Sequence, residues 1–264
     1  MWVDYAARIK TQIRFRPASA GNTRRLPLRR PFGVVGAAFA PIFQIVSPMR
    51  LIDLSQPLFD RAPNCPVHPP VSFRRTADHP ADGWRMEEIA MATHTGSHLD
   101  APLHKIAGGR SISDLPLETF VGPARIGDVR GLAPVAPITA ELLAAKLPGL
   151  LAGEIALLAT GWGERRAMTD EWLYRSPFVD PSGARWLVER GVRGVGIDHY
   201  SIGGSGPLNA ETHTILLGAG VWVVEELKFP EEVIALPAPQ KFWALPLNWP
   251  GCSGAFCRPV LEVE

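Results

Sequence analysis

Four side chains that suit a divalent metal ion fall within one short stretch of the sequence, residues 94–104. The stretch reads HTGSHLDAPLH, and its metal-compatible residues His94, His98, Asp100 and His104 include three of the chain's seven histidines. Neutral imidazole and carboxylate are ligands of zinc, manganese and iron in proteins. Three such ligands and an open position form a catalytic site, whose metal lowers the pKa of bound water towards about 7. We therefore predict His94, His98 and Asp100 as metal ligands.

The spacing of these groups constrains the backbone that carries them. They stand at positions i, i+4, i+6 and i+10, so an extended chain would place all four on one face. A straight strand would spread them over roughly 33 Å, too far for one ion. The chain must turn, and Gly96 and Pro102 are where it turns most easily. We predict a strand end that passes into a tight loop. A helix carrying His94 and His98 on one face is the weaker alternative, because Gly96 lies between them.

His104 lies beyond this ligand triplet and is predicted to transfer protons rather than to bind the metal. An imidazole with an unperturbed pKa of about 6.5 can move a proton between water and a leaving group at neutral pH. The residues alone leave two alternatives open, since Asp100 could cap the turn and His104 could be a buried, hydrogen-bonded side chain.

Composition and charge indicate an ordinary globular protein that does not bind nucleic acid. The 264 residues are 46% hydrophobic and 20% charged, which allows a sizeable core. Residues 1–48 hold eight Lys or Arg and one acidic residue, which leaves 19 basic and 25 acidic residues in 49–264 and a net charge of −6 there. The three cysteines, with no CxxC, do not form a disulfide framework and fit a reducing cytoplasm.

The first 48 residues read differently from the rest of the chain. We predict a basic N-terminal extension over 1–48, either disordered or translated from upstream of a true start at Met49, followed by one domain over 49–264. Arg29 and Arg30 before an apolar run also imitate a twin-arginine export signal, which is the minority alternative. The run is interrupted by Pro41 and is shorter than the about 20 apolar residues that span a bilayer, so no membrane partner is predicted.

Strand and helix patterns interleave along 49–264, which indicates an α/β domain with a mixed sheet. The Pro-rich loop 62–70 precedes the metal motif and could wall a pocket, and we predict its His68 to be a surface residue rather than a ligand. Thr139 and Asp180 are predicted helix N-caps. Predicted strands cover 51–58, 84–93, 120–129, 154–160, 192–198, 221–225, 242–247 and 260–263, and a third helix covers 209–217.

The histidine motif resembles that of the cyclase-like metal-dependent hydrolases, a family that includes bacterial kynurenine formamidase and isatin hydrolase. The resemblance extends over most of 49–264 and implies a swivelling β/β/α-type fold, a mixed sheet flanked by helices, and a homodimer or higher oligomer. It also implies hydrolysis of amide-type C–N bonds. The family pattern H-x-G-T-H-x-D-x-P-x-H is matched by His94, Gly96, His98, Asp100, Pro102 and His104, with Ser97 in place of threonine.

The family further implies a second metal position, bridged by Asp100 and completed by a histidine and a glutamate twelve residues later. His213 and Glu225 match that spacing. On sequence alone they read as a helix-surface residue and a strand-end charge, whereas the resemblance makes both ligands. The expected cofactor is zinc or manganese, with one or two ions per chain.

The function predicted from residues and resemblance together is hydrolysis of a small aromatic amide, an aryl formamide or a cyclic amide, as in tryptophan catabolism. Metal-activated hydroxide would attack the carbonyl, and His104 would pass a proton to the departing nitrogen. The tail departs from the family's D-G-S-P-x-R, since 252–258 reads CSGAFCR. Arg258 could bind a substrate carboxylate or form a surface salt bridge. A non-catalytic metal- or ligand-binding protein on the same scaffold is the alternative, and a serine hydrolase is disfavoured because no GxSxG is present.

Overall fold

A computed structural model describes residues 49–263, and one nine-stranded mixed sheet organises them. The predictions for 1–48 lie outside the described residues. The strands of this sheet are β1 (Arg50–Asp53), β4 (His98–Asp100), β5 (Val121–Asp128), β7 (Ile155–Ala159), β9 (Gly194–Ile197), β10 (Trp222–Glu225), β11 (Gln240–Trp243), β12 (Gly254–Phe256) and β13 (Val260–Val263). They lie side by side in the order β1-β13-β11-β5-β7-β9-β10-β4-β12.

The centre of the sheet is parallel and its two sides are antiparallel. β5, β7, β9 and β10 run parallel to one another. β4 and β12 extend one side with antiparallel pairing, and β11, β13 and β1 extend the other. Two smaller sheets lie outside it, one formed by β2 (Ser72–Ala77) and β3 (Met86–Ala90), the other by β6 (Pro137–Ile138) and β8 (Phe178–Val179). The predicted mixed α/β architecture is confirmed.

Three of the helices cover one face of the sheet, and each face carries a large hydrophobic cluster. Successive residues of a strand point to opposite faces, so in β7 Leu157 joins one cluster and Leu158 joins the other. Leu158 packs in the cluster that contains Leu187 and Leu216 from two of the helices. The helices are α1 (Ala140–Lys146), α2 (Asp170–Tyr174), α3 (Pro181–Glu189), α4 (Asn209–Gly218) and α5 (Glu231–Ile234).

The predicted helix starts are confirmed by their caps. The Thr139 hydroxyl accepts a hydrogen bond from the backbone N–H of Leu142, and the Asp180 carboxylate accepts one from Gly183. Each side chain satisfies an N–H group that has no partner within its own helix. Within residues 49–263, no helix has the length and apolar character needed to cross a membrane.

The strand predicted to deliver His94 is the main correction to the sequence-based elements. The predicted strand 84–93 is shorter, at Met86–Ala90, and pairs with β2 in a separate and largely exposed hairpin. Residues 91–97 are irregular, and the motif enters the main sheet only at His98. The order is therefore loop and then strand, because β4 pairs on both sides and draws His98–Asp100 into the sheet.

A prediction about sheet packing concerns Gly194, which stands opposite Trp222 across the β9–β10 pair. A Cβ atom at Gly194 would lie 2.2 Å from the buried indole. Gly194→Ala should therefore lower the free energy of unfolding by about 1–3 kcal/mol through overpacking, as measured by denaturant unfolding. Gly206→Ala is the control, because a Cβ there meets nothing within 4 Å. Equal stability of the two variants would contradict the packing described.

Candidate metal centre

The pairing of β4 with β10 brings three of the predicted ligands onto one face of the sheet. His98 stands opposite Glu225, and Asp100 stands opposite Val223. Leu99, between the two motif residues, points to the other face and joins its hydrophobic cluster. His98 and Asp100 therefore project towards the helical face, where α4 carries His213.

Two turns bring the remaining motif histidines to the same place. Gly96 has φ +64°, a conformation that suits glycine, and it turns the chain between His94 and His98. Pro102 begins a 3-10 turn that ends at His104. The rings of His94 and His104 stack with their centroids 4.1 Å apart. The sequence-based prediction that the chain bends at Gly96 and Pro102 is confirmed.

The six candidate side chains form one cluster around the carboxylate of Asp100. His94 Nδ1 lies 2.7 Å from Asp100 Oδ1, and His98 Nε2 lies 3.4 Å from the same oxygen. His213 Nε2 lies 3.7 Å from Asp100 Oδ2 and 3.2 Å from Glu225 Oε1. Glu225 Oε2 is in turn 3.5 Å from His98 Nε2.

The donor atoms fit a divalent metal in number, kind and spacing. Two sets of three residues each place a ligand atom within 4.8 Å of the others: His94, Asp100 and His104 in one, and His98, Asp100 and Glu225 in the other. His98 Nε2 and Asp100 Oδ2 are buried and have no hydrogen-bond partner among the described residues. Buried polar atoms are normally satisfied, so these two atoms suit coordination to a cation.

The charges of this cluster compensate one another strongly. Burial disfavours ionised Asp100, but His94 and His98 outweigh it and hold the pKa of the carboxyl well below its usual value. Burial likewise disfavours protonated His98, yet Asp100 and Glu225 raise its pKa to about 9. The same carboxylates raise the pKa of His213 against the effect of burial. The cluster thus favours positive charge at its centre.

His104 is the exception among these histidines. Burial lowers its pKa to about 4, with the attraction of Asp100 offset by the neighbouring His94 and Lys105. Its imidazole is therefore neutral at pH 7 and a weaker base than a free histidine.

Three imidazoles are fixed by hydrogen bonds at the nitrogen that faces away from the carboxylates. His98 Nδ1 lies 2.7 Å from the carbonyl oxygen of Gly96, and His213 Nδ1 lies 2.9 Å from that of Asn209. His94 Nε2 lies 2.8 Å from the hydroxyl of Ser253. Such outer hydrogen bonds orient histidine ligands and fix their tautomers.

A buried ion pair joins the metal motif to the Pro-rich loop. Arg166 donates to the Glu226 carboxylate at 2.8 Å, and the other oxygen of Glu226 accepts the backbone N–H of Gly96 at 3.2 Å. Arg166 also donates to the carbonyl oxygens of Pro57 and Pro63, each at 2.8 Å. The guanidinium of Arg166 therefore links the Pro-rich loop to the turn at Gly96.

Sequence reasoning missed three residues of this neighbourhood. Ser253 and Arg166 come from distant parts of the chain. The only sequence signal for Ser253 was that residues 252–258 depart from the family pattern. His68 was predicted at the surface, but it is half-buried, and the charges of His94 and His98 lower its pKa in addition to burial. Arg166 donates a hydrogen bond to the carbonyl oxygen of Pro63 in the same loop.

Arg258 does not enter the centre. Its guanidinium is exposed and donates to Asp53 at 2.8 Å, which is the surface salt bridge that the sequence left open as an alternative.

Comparison with known proteins places the chain in a family. The family described as "Putative cyclase" matches residues 52–203, more than half of the chain. A kynurenine formamidase from Salinibacter ruber is 33% identical over 216 residues, covering 81% of this chain and 98% of the relative. The chain belongs to this cyclase family. A kynurenine formamidase from Geobacillus thermodenitrificans is 30% identical, covering 80% of this chain and 96% of the relative.

Solved structures of the family share the fold. Isatin hydrolase A from Ralstonia solanacearum aligns with a TM-score of 0.73 and 26% identity over 82% of this chain and 92% of that chain. The structure of a potential metal-dependent hydrolase with cyclase activity aligns with a TM-score of 0.68 and 28% identity, over 82% of this chain and 98% of that chain. The predicted family is confirmed, as is the predicted class of enzyme, an amidohydrolase acting on C–N bonds other than peptide bonds. A divalent metal is supported by the family and by the donor cluster.

A prediction about the centre's supporting structure compares two adjacent arginines. Arg166→Met should lower the free energy of unfolding by about 3–5 kcal/mol, because it leaves the Glu226 carboxylate buried without its partner. Arg165→Met is the matched control. Arg165 pairs with Glu171 at the exposed surface and stacks on Trp162, so its loss should cost about 1 kcal/mol or less. Denaturant unfolding measures both, and similar losses would show that the Arg166 pair is not the buried tie described here.

Proposed function

We propose that this chain is a divalent-metal-dependent hydrolase that cleaves the amide-type C–N bond of a small aromatic amide. The observation that carries the proposal is the carboxylate of Asp100, 1% exposed, which belongs to both candidate donor sets and has one oxygen without a hydrogen-bond partner among residues 49–263. Burial of an ionised carboxylate costs free energy unless a cation or a proton compensates its charge.

The proposed metal ligands are His94, His98, Asp100, His213 and Glu225. Because Asp100 belongs to both donor sets, these residues could hold one ion or two. Imidazole and carboxylate donors suit zinc and manganese alike. When bound, a divalent metal supplies Lewis acidity, which lowers the pKa of water and polarises a carbonyl oxygen.

His104 is proposed as the group that moves the proton. Its neutral imidazole lies beside His94 and 5.8 Å from the ring of His213. It can take a proton from the attacking water and deliver it to the departing nitrogen, so one side chain acts as base and then as acid. The same position would also let His104 bind a metal, since it completes one of the donor sets. A His104 that carries a proton and a His104 that binds the metal predict different metal contents for His104→Ala.

The proposed substrate class is an aryl formamide or a cyclic aromatic amide, and its place is in tryptophan catabolism. Relatives named kynurenine formamidase and isatin hydrolase support this class. A cavity of about 710 Å³ lies along the Pro-rich loop and is lined by His68, Asn64 and Cys65, but none of the proposed metal ligands lies in its wall. We further propose a homo-oligomer in the cytoplasm, where the three free cysteines would stay reduced.

A prediction separates ligand from proton carrier by substitution. His98→Ala should empty the site, because His98 Nε2 faces two carboxylates and has no other partner in the described part of the chain. His104→Ala should keep its metal and lose about 10²–10⁴ in kcat. Elemental analysis of each purified variant, together with turnover of N-formylkynurenine, isatin and simple aryl formamides, measures both effects.

Two outcomes would contradict parts of this scheme. If His104→Ala loses metal in proportion to activity, His104 is a ligand. If the wild-type chain holds metal but turns over none of these amides, a non-catalytic metal- or ligand-binding protein replaces the hydrolase.

A further inference from the structure

The hydrogen bond between His94 and Ser253 differs from those that orient the other two imidazoles. His98 and His213 are held by backbone carbonyl oxygens from their own chain neighbourhood, whereas His94 Nε2 meets a side-chain hydroxyl 159 residues away. This partner can be removed by substitution without changing the backbone. It also comes from the tail, at the place where the sequence departs from the family pattern.

The tail is fixed rigidly against the metal motif. Gly254, the first residue of β12, stands opposite Asp100 across the sheet. On either side of the hydroxyl the backbone is tied as well, since Ala101 N–H donates to the carbonyl oxygen of Ser253 at 2.8 Å and Ile112 N–H donates to that of Cys252 at 2.9 Å. The position of the Ser253 hydroxyl is therefore set by the strand that carries Asp100.

The imidazole of His94 packs directly on the backbone of Gly254. A Cβ atom there would lie 2.7 Å from His94 Cε1 and 2.5 Å from the carbonyl oxygen of Leu99. The absence of a side chain at Gly254 makes room for the ring, and the hydroxyl at Ser253 lies within hydrogen-bond distance of its outer nitrogen. Together they define both where the ring lies and how it is turned.

We propose that Ser253 is a positioning residue that holds the imidazole of His94 in the orientation in which it can bind the metal. His94 Nδ1 lies 2.7 Å from Asp100 Oδ1, a carboxylate oxygen that can only accept, so Nδ1–H donates to it while the Ser253 hydroxyl meets Nε2 at 2.8 Å. Because a hydroxyl can also accept, Ser253 can keep the ring in place when a bound ion takes the position of the Nδ1 hydrogen. The inference rests on the metal site of the proposed function. A neutral hydroxyl performs this role without adding a further negative charge beside the two carboxylates of the centre.

The test compares metal affinity in the full chain and two serine variants. Ser253→Ala should bind zinc about 10–100-fold more weakly than the wild type in competition with a chelator, because the ring loses its outer partner. Ser253→Thr keeps a hydroxyl and should restore most of the affinity. Ser113→Ala removes an exposed hydroxyl that contacts only Ser111 and should leave the affinity unchanged. Circular dichroism checks that each variant is folded.

A second measurement reads the protonation and coordination of the histidine rings directly. Nitrogen NMR of the zinc-loaded wild type, labelled at histidine, should show one histidine protonated at Nε2 and metal-bound at Nδ1, and Ser253→Ala should shift that signal. Protonation of His94 at Nδ1 in the zinc-loaded chain, or an unchanged zinc affinity in a folded Ser253→Ala, would overturn the inference. A wild-type chain that binds no metal would instead overturn the proposed function.

Discussion

A buried carboxylate surrounded by imidazoles is the constraint on which this structure depends. Asp100 is almost fully buried, and an ionised carboxylate in such a place is unfavourable unless positive charge lies close to it. His94, His98 and His213 surround this carboxylate, and Glu225 adds a second one. A cation stabilises this cluster better than protons alone, because it can bind several donor atoms at once. The amide hydrolysis proposed for the chain uses the same concentration of charge.

The fold serves this centre by fixing the backbone on each side of it. The register of β4 with β10 sets His98 against Glu225, and the tail strand β12 closes the other edge of β4. Arg166 ties the Pro-rich loop to the turn at Gly96 through Glu226. These ties come from four separate parts of the chain, so the centre is assembled by tertiary structure as well as by the motif. Such rigidity reduces the reorganisation needed when the ligands bind an ion.

The sequence predicted the features that depend on residues close to one another in the chain better than those that depend on distant residues. The turns at Gly96 and Pro102, the caps at Thr139 and Asp180, and the α/β class all follow from short-range rules about φ, capping and periodicity. His213 and Glu225 could be predicted as ligands only from the family resemblance, because their spacing in the sequence does not show which residues a helix or a strand faces in the fold. Ser253 and Arg166 could not be predicted, since their partners lie far away in sequence. The strand before His94 was misplaced because alternation alone does not distinguish a strand of the main sheet from an exposed hairpin.

Anomalous diffraction at the absorption edge of the bound metal, from crystals of the metal-loaded full chain, tests the central claim most directly. The account predicts an anomalous peak about 2 Å from a carboxylate oxygen of Asp100 and from His98 Nε2. A second peak about 3.5–4 Å from the first would show that Asp100 bridges two ions. A loaded crystal with no peak within coordination distance of Asp100, or with its only peak elsewhere on the molecule, would contradict the account.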